Sequence, residues 1–336
     1  MRYKSFNGIN LSEMGVGTYL GELDEETDAR YLETLKEAVS SGINVVDTAI
    51  NYRYMKSERV IGRLLEEVGR EKVFVSTKGG YIPFDAELGD DPKDYFENNF
   101  IKTGLINPDE MTPQGHYLGK EFIEWCFRKS MENLGVDKID LYFIHNPEEQ
   151  LLFISKENFY SKIKSVFELL ENLVSEEKLG FYGFATWHGF RISRGARQFL
   201  DLREVYQIAE EVAGENHHFR FIQLPYNLGM PEAFSLKNQL IDGESLSTIE
   251  ACNKLGIYVY TSASIYQGQV IGRVPGKMKE FFGIEDDVIL ALQFVRSTPG
   301  VGTALIGMSR VPHLRHNLKL QNIEPVSPER FLTLFK

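Results

Sequence analysis

Four side chains of this sequence could move a proton together: Asp47, Tyr52, Lys78 and His145. Asp47 ends the apolar run Ile43-Asn44-Val45-Val46, and Tyr52 follows five residues later in the next loop. Lys78 ends the uncharged run Val73 to Thr77, and His145 ends Ile139 to Ile144. An ammonium beside a phenol favours the phenolate and lowers the phenol from its usual pKa of about 10. Such a phenol can give a proton to a developing alkoxide and take it back in reverse. A histidine from the next tip adds a hydrogen-bond donor for the same oxygen. Lys78 must either snorkel outward or find a partner inside, and Asp47 is the carboxylate at hand. Taken singly, each residue has a structural reading: a cap, a loop anchor, a rim charge, a satisfied core histidine. Their recurrence at the ends of consecutive apolar runs points to chemistry.

The elements that must position them alternate regularly. Residues 2 to 11 read as a hairpin around Asn7-Gly8, and a first strand covers Met14 to Tyr19. Later strands are expected at 43–46, 73–77, 139–144, 181–185, 219–224, 257–261 and 302–306. Helical spacing appears at 26–40, from Ser57 onward, and at 118–134, 159–174, 198–213, 247–254 and 288–295. Two further helical patterns, near 311–318 and 327–335, close the chain. Eight strands alternating with helices, without a composition break or linker, imply one (β/α)8 TIM barrel domain over residues 1–336. In such a barrel the strand tips share the face that carries chemistry. A doubly wound sheet is the alternative, but no G-x-G-x-x-G follows the first strand. One interval, residues 79–117, is far longer than the usual connection of roughly 2 to 6 residues. Its aromatic residues Tyr81, Phe84 and Phe96 make it a candidate lid over the strand tips, favouring apolar or aromatic substrates.

Composition narrows the function classes. Of 336 residues, 43% are hydrophobic and 25% charged, as in ordinary globular proteins. The net charge of -11 argues against nucleic acid or an anionic membrane as partner. No run approaches the roughly 18 apolar residues of a membrane span, and the N-terminus lacks a signal peptide's apolar core. Cys126 and Cys252 lie in apolar helical patterns and read as free thiols in a reducing compartment. The expectation is a cytoplasmic enzyme acting on a small molecule; nothing in the sequence marks an oligomer interface.

The segments GINVVDTAINY, VFVSTKG and VDKIDLYFIHNP, which carry the four residues, resemble the tetrad of the aldo-keto reductase superfamily. The resemblance extends to GVGTY near the start, FIQLPYN, SASIYQG and GMSRVPHLRHN. It implies NAD(P)H-dependent reduction of a carbonyl in a barrel whose bottom is closed by the N-terminal hairpin. Carried over, Tyr52 is the general acid, Lys78 lowers its pKa, Asp47 holds Lys78, and His145 orients the substrate carbonyl. Thr18, Tyr19 and Asp47 match positions that touch the cofactor, and Gln223 matches the partner of the nicotinamide carboxamide. Ser262 and Ile265 of the SASIYQG segment join the same set. Ser309 and Arg310, with His313 and Asn317, match the adenosine phosphate and adenine site, and Arg273 takes the place of a lysine that clasps the pyrophosphate.

The sequence departs from the family pattern at several points. A Ser-Asn pair that helps hold the carboxamide is Ala185-Thr186 here, and the tyrosine that stacks on the nicotinamide is Ser262. The glycine common after the catalytic tyrosine is Arg53. Two cationic positions that grip a 2′-phosphate are Ser309 and His313, leaving Arg310 beside them; with Arg273 it favours NADP(H) over NAD(H). Two rival functions follow from the same face. Asp47, His145 and His188 could ligate a hydrolytic zinc, although Lys78 would oppose the metal. A reductase-like barrel could instead bind nucleotide and regulate a partner without catalysis.

Overall fold

The computed structural model describes residues 1–89 and 91–336. An antiparallel hairpin comes first, β1 (Tyr3–Phe6) paired with β2 (Ile9–Ser12), turning at Asn7-Gly8 with both residues at positive φ. The barrel strands follow: β3 (Met14–Gly17), β4 (Val45–Asp47), β5 (Phe74–Gly79), β6 (Ile139–His145), β7 (Leu179–Ala185) and β8 (Phe219–Pro225). A small antiparallel hairpin, β9 (Gln239–Ile241) and β10 (Glu244–Leu246), precedes the last two barrel strands, β11 (Tyr258–Ser262) and β12 (Val301–Gly307). Pairing runs β11-β12-β3-β4-β5-β6-β7-β8 and closes through a parallel β8–β11 contact. The expected eight-stranded barrel is therefore the fold. Closure leaves the barrel itself without an edge strand.

The helices form the outer layer. They are α1 (Glu25–Ser40), α2 (Lys56–Val68), α3 (Pro92–Phe96), α4 (Lys120–Leu134), α5 (Lys156–Ser175) and α6 (Leu202–Ala213). After them come α7 (Glu232–Ser235), α8 (Thr248–Lys254), α9 (Gly276–Phe282), α10 (Asp287–Ser297), α11 (Val311–Asn317) and α12 (Pro328–Leu332). Their starts follow from local chemistry. Asp24 accepts from the Thr27 amide at the head of α1, and Ser155 from that of Asn158 at the head of α5. Ser247 and Glu250 make a capping box at α8. Among the described residues no helix is long and apolar enough to cross a membrane.

Side chains alternate between two cores. Val45, Phe74, Leu141, Phe143, Phe221, Tyr258, Tyr260 and Leu305 fill the barrel. The hairpin plugs its lower end: Phe6 packs against Phe221 at 5.3 Å and Tyr258 at 5.2 Å between ring centroids. A buried ion pair, Arg296 to Glu13 at 2.7 Å, ties the segment between hairpin and barrel to α10. The larger core lies between strands and helices and includes both cysteines, free and buried.

The long interval after β5 begins and ends at one place. The Tyr117 amide donates to the Gly80 carbonyl and that of Ile82 to Gly115, each at 2.8 Å. Its aromatic residues divide: Phe100 packs edge-on against Phe122 and Trp125 of α4, and Phe96 lies against Phe100. Phe84 meets Tyr54 at 5.4 Å, and Tyr81 turns toward His145 at 5.0 Å.

Candidate active site

β4 and β5 are neighbours in register, with Asp47 opposite Ser76, so their tips deliver Asp47 and Lys78 side by side. Lys78 is fully buried; its ammonium donates to Asp47 Oδ2 and to the Thr48 carbonyl, both at 2.6 Å. Burial pushes Lys78 below its ordinary value while Asp47 pulls it back. The other Asp47 oxygen accepts from Ser76 Oγ at 2.7 Å and from Gln223 Nε2 at 2.9 Å. Three donor groups thus make four hydrogen bonds to two carboxylate oxygens and one backbone oxygen, leaving the pair well satisfied. Behind the strand, buried Glu58 accepts from Thr77 Oγ1 at 2.5 Å and Asn133 Nδ2 at 2.8 Å.

Tyr52 lies over this pair. The Lys78 ammonium is 4.9 Å from its ring centroid, and the His145 ring is 5.8 Å away at 74°. Tyr19, itself exposed, packs on the Tyr52 ring at 4.9 Å. The expected lowering of the Tyr52 pKa is not met. Desolvation is the larger effect and, with the Asp47 charge, pushes the phenol well above its ordinary value. The hydroxyl therefore keeps its proton at neutral pH. His145 is moved the other way, well below its ordinary value, by burial and by the Lys78 charge. It is neutral, and its Nδ1 is buried without a partner.

Several residues around His145 carried no sequence signal of their own. His116 Nε2 lies 2.8 Å from the His145 carbonyl, and Gln150 Nε2 meets His116 Nδ1 at 3.0 Å. With Gln150 donating to Nδ1, His116 is the neutral tautomer that donates from Nε2 to that carbonyl. Burial holds it at about 4. Gly80 is required here, at φ 141°: a Cβ would stand 2.9 Å from His116 Nε2 and 3.0 Å from the His145 carbonyl oxygen. The Tyr81 hydroxyl donates to Glu149 and accepts from Asn146 Nδ2, the latter at 2.9 Å. The order His145-Asn146-Pro147-Glu148-Glu149 could have suggested a shared site for this group; the distant His116 could not.

The segment after β7 is held from both sides. Glu148, buried, accepts with one oxygen from the amides of Trp187, His188 and Gly189 at 2.7, 2.9 and 3.2 Å. Arg191 donates twice to the Trp187 carbonyl, at 3.0 and 2.9 Å. Thr186, just before this turn, is buried with its hydroxyl unpartnered.

The residues expected around a cofactor fall into two groups. Thr18 and Asp47 are buried at the adjacent tips of β3 and β4, where the Thr18 amide donates to the Asp47 carbonyl at 3.1 Å. Thr186 and Gln223 are buried at the adjacent tips of β7 and β8. Gln223 is found bonded to Asp47. Ser262 and Ile265 are half-buried at the end of β11 and in the turn beyond it; Arg273 is exposed further along that connection. Ser309, Arg310, His313 and Asn317 lie between β12 and the end of α11, with Arg310 and His313 exposed and Asn317 buried. Neither Arg273 nor Arg310 forms an ion pair among the described residues. Asp47, one of the three residues of the zinc alternative, is engaged with Lys78. Among the described residues no three His, Cys, Asp or Glu side chains are placed to hold a metal.

Residues 13–194 match the model of the aldo/keto reductase family. The chain is 30% identical over 185 residues to the NADH-specific methylglyoxal reductase of Escherichia coli (strain K12), covering 53% of this chain and about half, 49%, of that protein. It is 21% identical over 344 residues to a putative voltage-gated potassium channel subunit beta of Schizosaccharomyces pombe, covering 98% of this chain and 90% of the relative. Its fold is similar to a Klebsiella pneumoniae aldo-keto reductase solved with NADPH, at a TM-score of 0.65 and 18% identity, covering 100% of this chain and 96% of that one. This chain belongs to the aldo/keto reductase family.

Proposed function

We propose that this chain reduces a small aldehyde or ketone to an alcohol with NAD(P)H, and that Tyr52 is the general acid. The observation that carries this reading is the fully buried Lys78 ammonium, paired with Asp47 and 4.9 Å from the Tyr52 ring. A buried charge is costly, and a plain rim residue gains nothing from such burial.

The nicotinamide, when bound, supplies the hydride. Tyr52, kept protonated by burial, gives its proton to the oxygen on which charge develops. The phenolate left behind is where the Lys78 charge acts, stabilising an anion that burial alone would forbid. Neutral His145 orients the carbonyl oxygen by hydrogen bonding. Asp47 keeps Lys78 charged and in place. General acid catalysis of this kind contributes about 10² to 10⁴ in rate.

The chain's residues fit a nicotinamide cofactor. The unpartnered Thr186 hydroxyl lies at the tip where the family's Ser-Asn pair stands, and it supplies a partner for the carboxamide in that pair's stead. Gln223, also at that rim, would share its amide between Asp47 and the carboxamide. Arg273 and Arg310, exposed and without acidic partners among the described residues, support NADP(H) over NAD(H), with Ser309, His313 and Asn317 beside the adenosine. The name of the Escherichia coli relative shows that the family also contains NADH-specific members.

Methylglyoxal is a suitable first substrate, since a relative reduces it by name. The rings of Tyr19 and Tyr81 near the phenol suit apolar and aromatic carbonyls as well. Interval 79–117 acts as a lid through Tyr81 and the Tyr54–Phe84 contact, with Phe100 as its anchor on α4. Two buried free thiols agree with a reducing, cytoplasmic setting.

A second reading, a nucleotide-binding barrel that regulates a partner, draws on the near full-length likeness to the channel beta subunit. Turnover separates the two. NADPH binding followed by fluorescence, then NADPH oxidation with methylglyoxal and benzaldehyde, should both be positive for the wild type. Binding without oxidation of any carbonyl would leave the regulatory reading standing alone.

A further inference from the structure

Behind Tyr52 the backbone does something that side chains resist. Arg53, Tyr54 and Met55 are consecutive non-glycine residues at φ 49°, 52° and 71°. In this region Cβ crowds the neighbouring carbonyl, so glycine is the usual occupant. Such stretches persist only where the surroundings over-determine them. Here the surroundings are specific. Met55 is fully buried, and the Arg53 side chain is 1% exposed. Arg53 Nη2 donates to Asp28 Oδ1 at 2.5 Å, and its Nε donates to the Glu22 carbonyl at 2.9 Å. The guanidinium also lies 5.5 Å from the Tyr31 ring centroid. Asp28, on α1, is further paired with Lys56 at 3.1 Å.

Glu22 belongs to the connection between β3 and α1 that also carries Tyr19. Tyr19 packs on the Tyr52 ring at 4.9 Å. Arg53 therefore bonds the loop holding one ring to the loop holding the other. It does so although its Nη1 is left buried without a partner among the described residues. A residue selected for packing alone would not bury an unsatisfied donor there.

We propose that Arg53 is a positioning residue for Tyr52 and Tyr19: through Asp28 and the Glu22 carbonyl it fixes the left-handed segment that aims the phenol at Lys78. Its kinetic consequence rests on the reductase reading given above; the ordering of the two loops does not. The side chain at this position thus contributes an anchor that a glycine would lack.

The test compares Arg53→Met, Arg53→Lys and Arg53→Gly in the full chain by two measurements, amide hydrogen exchange and steady-state kinetics with NADPH and an aldehyde. In Arg53→Met, exchange should accelerate in both peptides covering 18–24 and 49–56, with β5 and β6 unchanged. The kcat should fall about tenfold or more while KM for the aldehyde moves less than about twofold. Adding Arg53→Met to Tyr52→Phe should cost nothing further. Arg53→Lys should recover part of the loss, because an ammonium reaches Asp28 but cannot also form the second bond. Arg53→Gly, which relieves the backbone, should still lose kcat. Unchanged exchange in residues 18–24 would overturn the proposal whether or not the wild type turns over. A lowered melting temperature with wild-type kcat, or Arg53→Gly matching the wild type, would overturn it too. Absence of turnover in the wild type alone would instead strike the reductase reading, and accelerated exchange would still support the tie.

Discussion

The Lys78 ammonium and the Asp47 carboxylate meet at 2.6 Å at the barrel's C-terminal rim, one side chain fully buried and the other nearly so. Neither would be stable there alone. The barrel supplies their proximity through the β4–β5 register, and Ser76 and Gln223 occupy the carboxylate oxygen that Lys78 leaves free.

Asp47→Asn should therefore destabilise the chain strongly, because it strands a buried cation. The expected loss is about 3–5 kcal/mol, read as a lowered urea midpoint at pH 7. Asp47→Asn/Lys78→Met, which removes both charges, should regain a large part of it. Equal losses in the single and double variants would show that the pair is not the source.

The pH dependence of turnover follows from His145 and Tyr52 for as long as Asp47 keeps Lys78, itself lowered by burial, in its charged form. His145 sits well below its ordinary value and Tyr52 well above its own. The reductive rate should then be flat across pH 6 to 9 and decline only beyond about pH 10, where an ordinary phenol would already ionise. A descending limb near neutrality would mean that the phenol is not held protonated.

His116 predicts an acid-sensitive stability. Its folded pKa is about 4, below an unfolded value of about 6.5, so on acidification the unfolded chain takes up the proton first. The contribution is complete above pH 6.5 and is lost as pH falls toward 4. Between pH 6.5 and 5 this amounts to about 2 kcal/mol. His217, lowered to about 4 by burial and by neighbouring Arg220 and His218, adds a similar contribution. Denaturation of His116→Gln at the two pH values should show a pH-dependent loss smaller by about 2 kcal/mol. Identical losses in variant and wild type would contradict this.

Glu148 holds three consecutive amides of the turn after Thr186. Glu148→Ala leaves them without that acceptor, at about 1–3 kcal/mol for each that stays buried. The turn should loosen, raising KM for NADPH about tenfold, with kcat less affected. Glu148→Gln keeps a carbonyl oxygen in place and should retain most of the affinity. No change in KM in the alanine variant would separate this turn from cofactor binding.

Much of this was legible in the sequence, and the limits have physical causes. The strands announce themselves because parallel barrel strands are buried on both faces and read as apolar runs. Asp47, Lys78 and His145 stand out because they end such runs. His116 was invisible, since it reaches the His145 carbonyl from the far end of a long loop whose closure no local pattern encodes. Gln223 can be read from its strand as a rim residue, but its bond to Asp47 depends on side-chain competition across the barrel. The Tyr52 pKa was misjudged in direction because proximity to Lys78 can be read from motif spacing, whereas desolvation depends on everything packed around the hydroxyl. Arg53 looked like a mere departure from a glycine; only the backbone angles and the Asp28 pair give it a place.

Arg310 and Arg273 bear on the choice of cofactor. Arg310→Ala should raise KM for NADPH about tenfold or more and leave that for NADH within about twofold, as expected for loss of a charge-assisted phosphate contact. A parallel change for both cofactors would remove Arg310 from the 2′-phosphate site.

Everything turns on proton donation by the Tyr52 hydroxyl, and one comparison tests it most directly. NADPH oxidation by the wild type and by Tyr52→Phe should be measured over a panel of aldehydes, ketones and dicarbonyls, with NADPH affinity checked by fluorescence. The wild type should turn over at least one carbonyl, and the variant should bind NADPH normally while losing about 10² or more in kcat. Undiminished turnover by Tyr52→Phe, or none by the wild type with any carbonyl, would contradict the account.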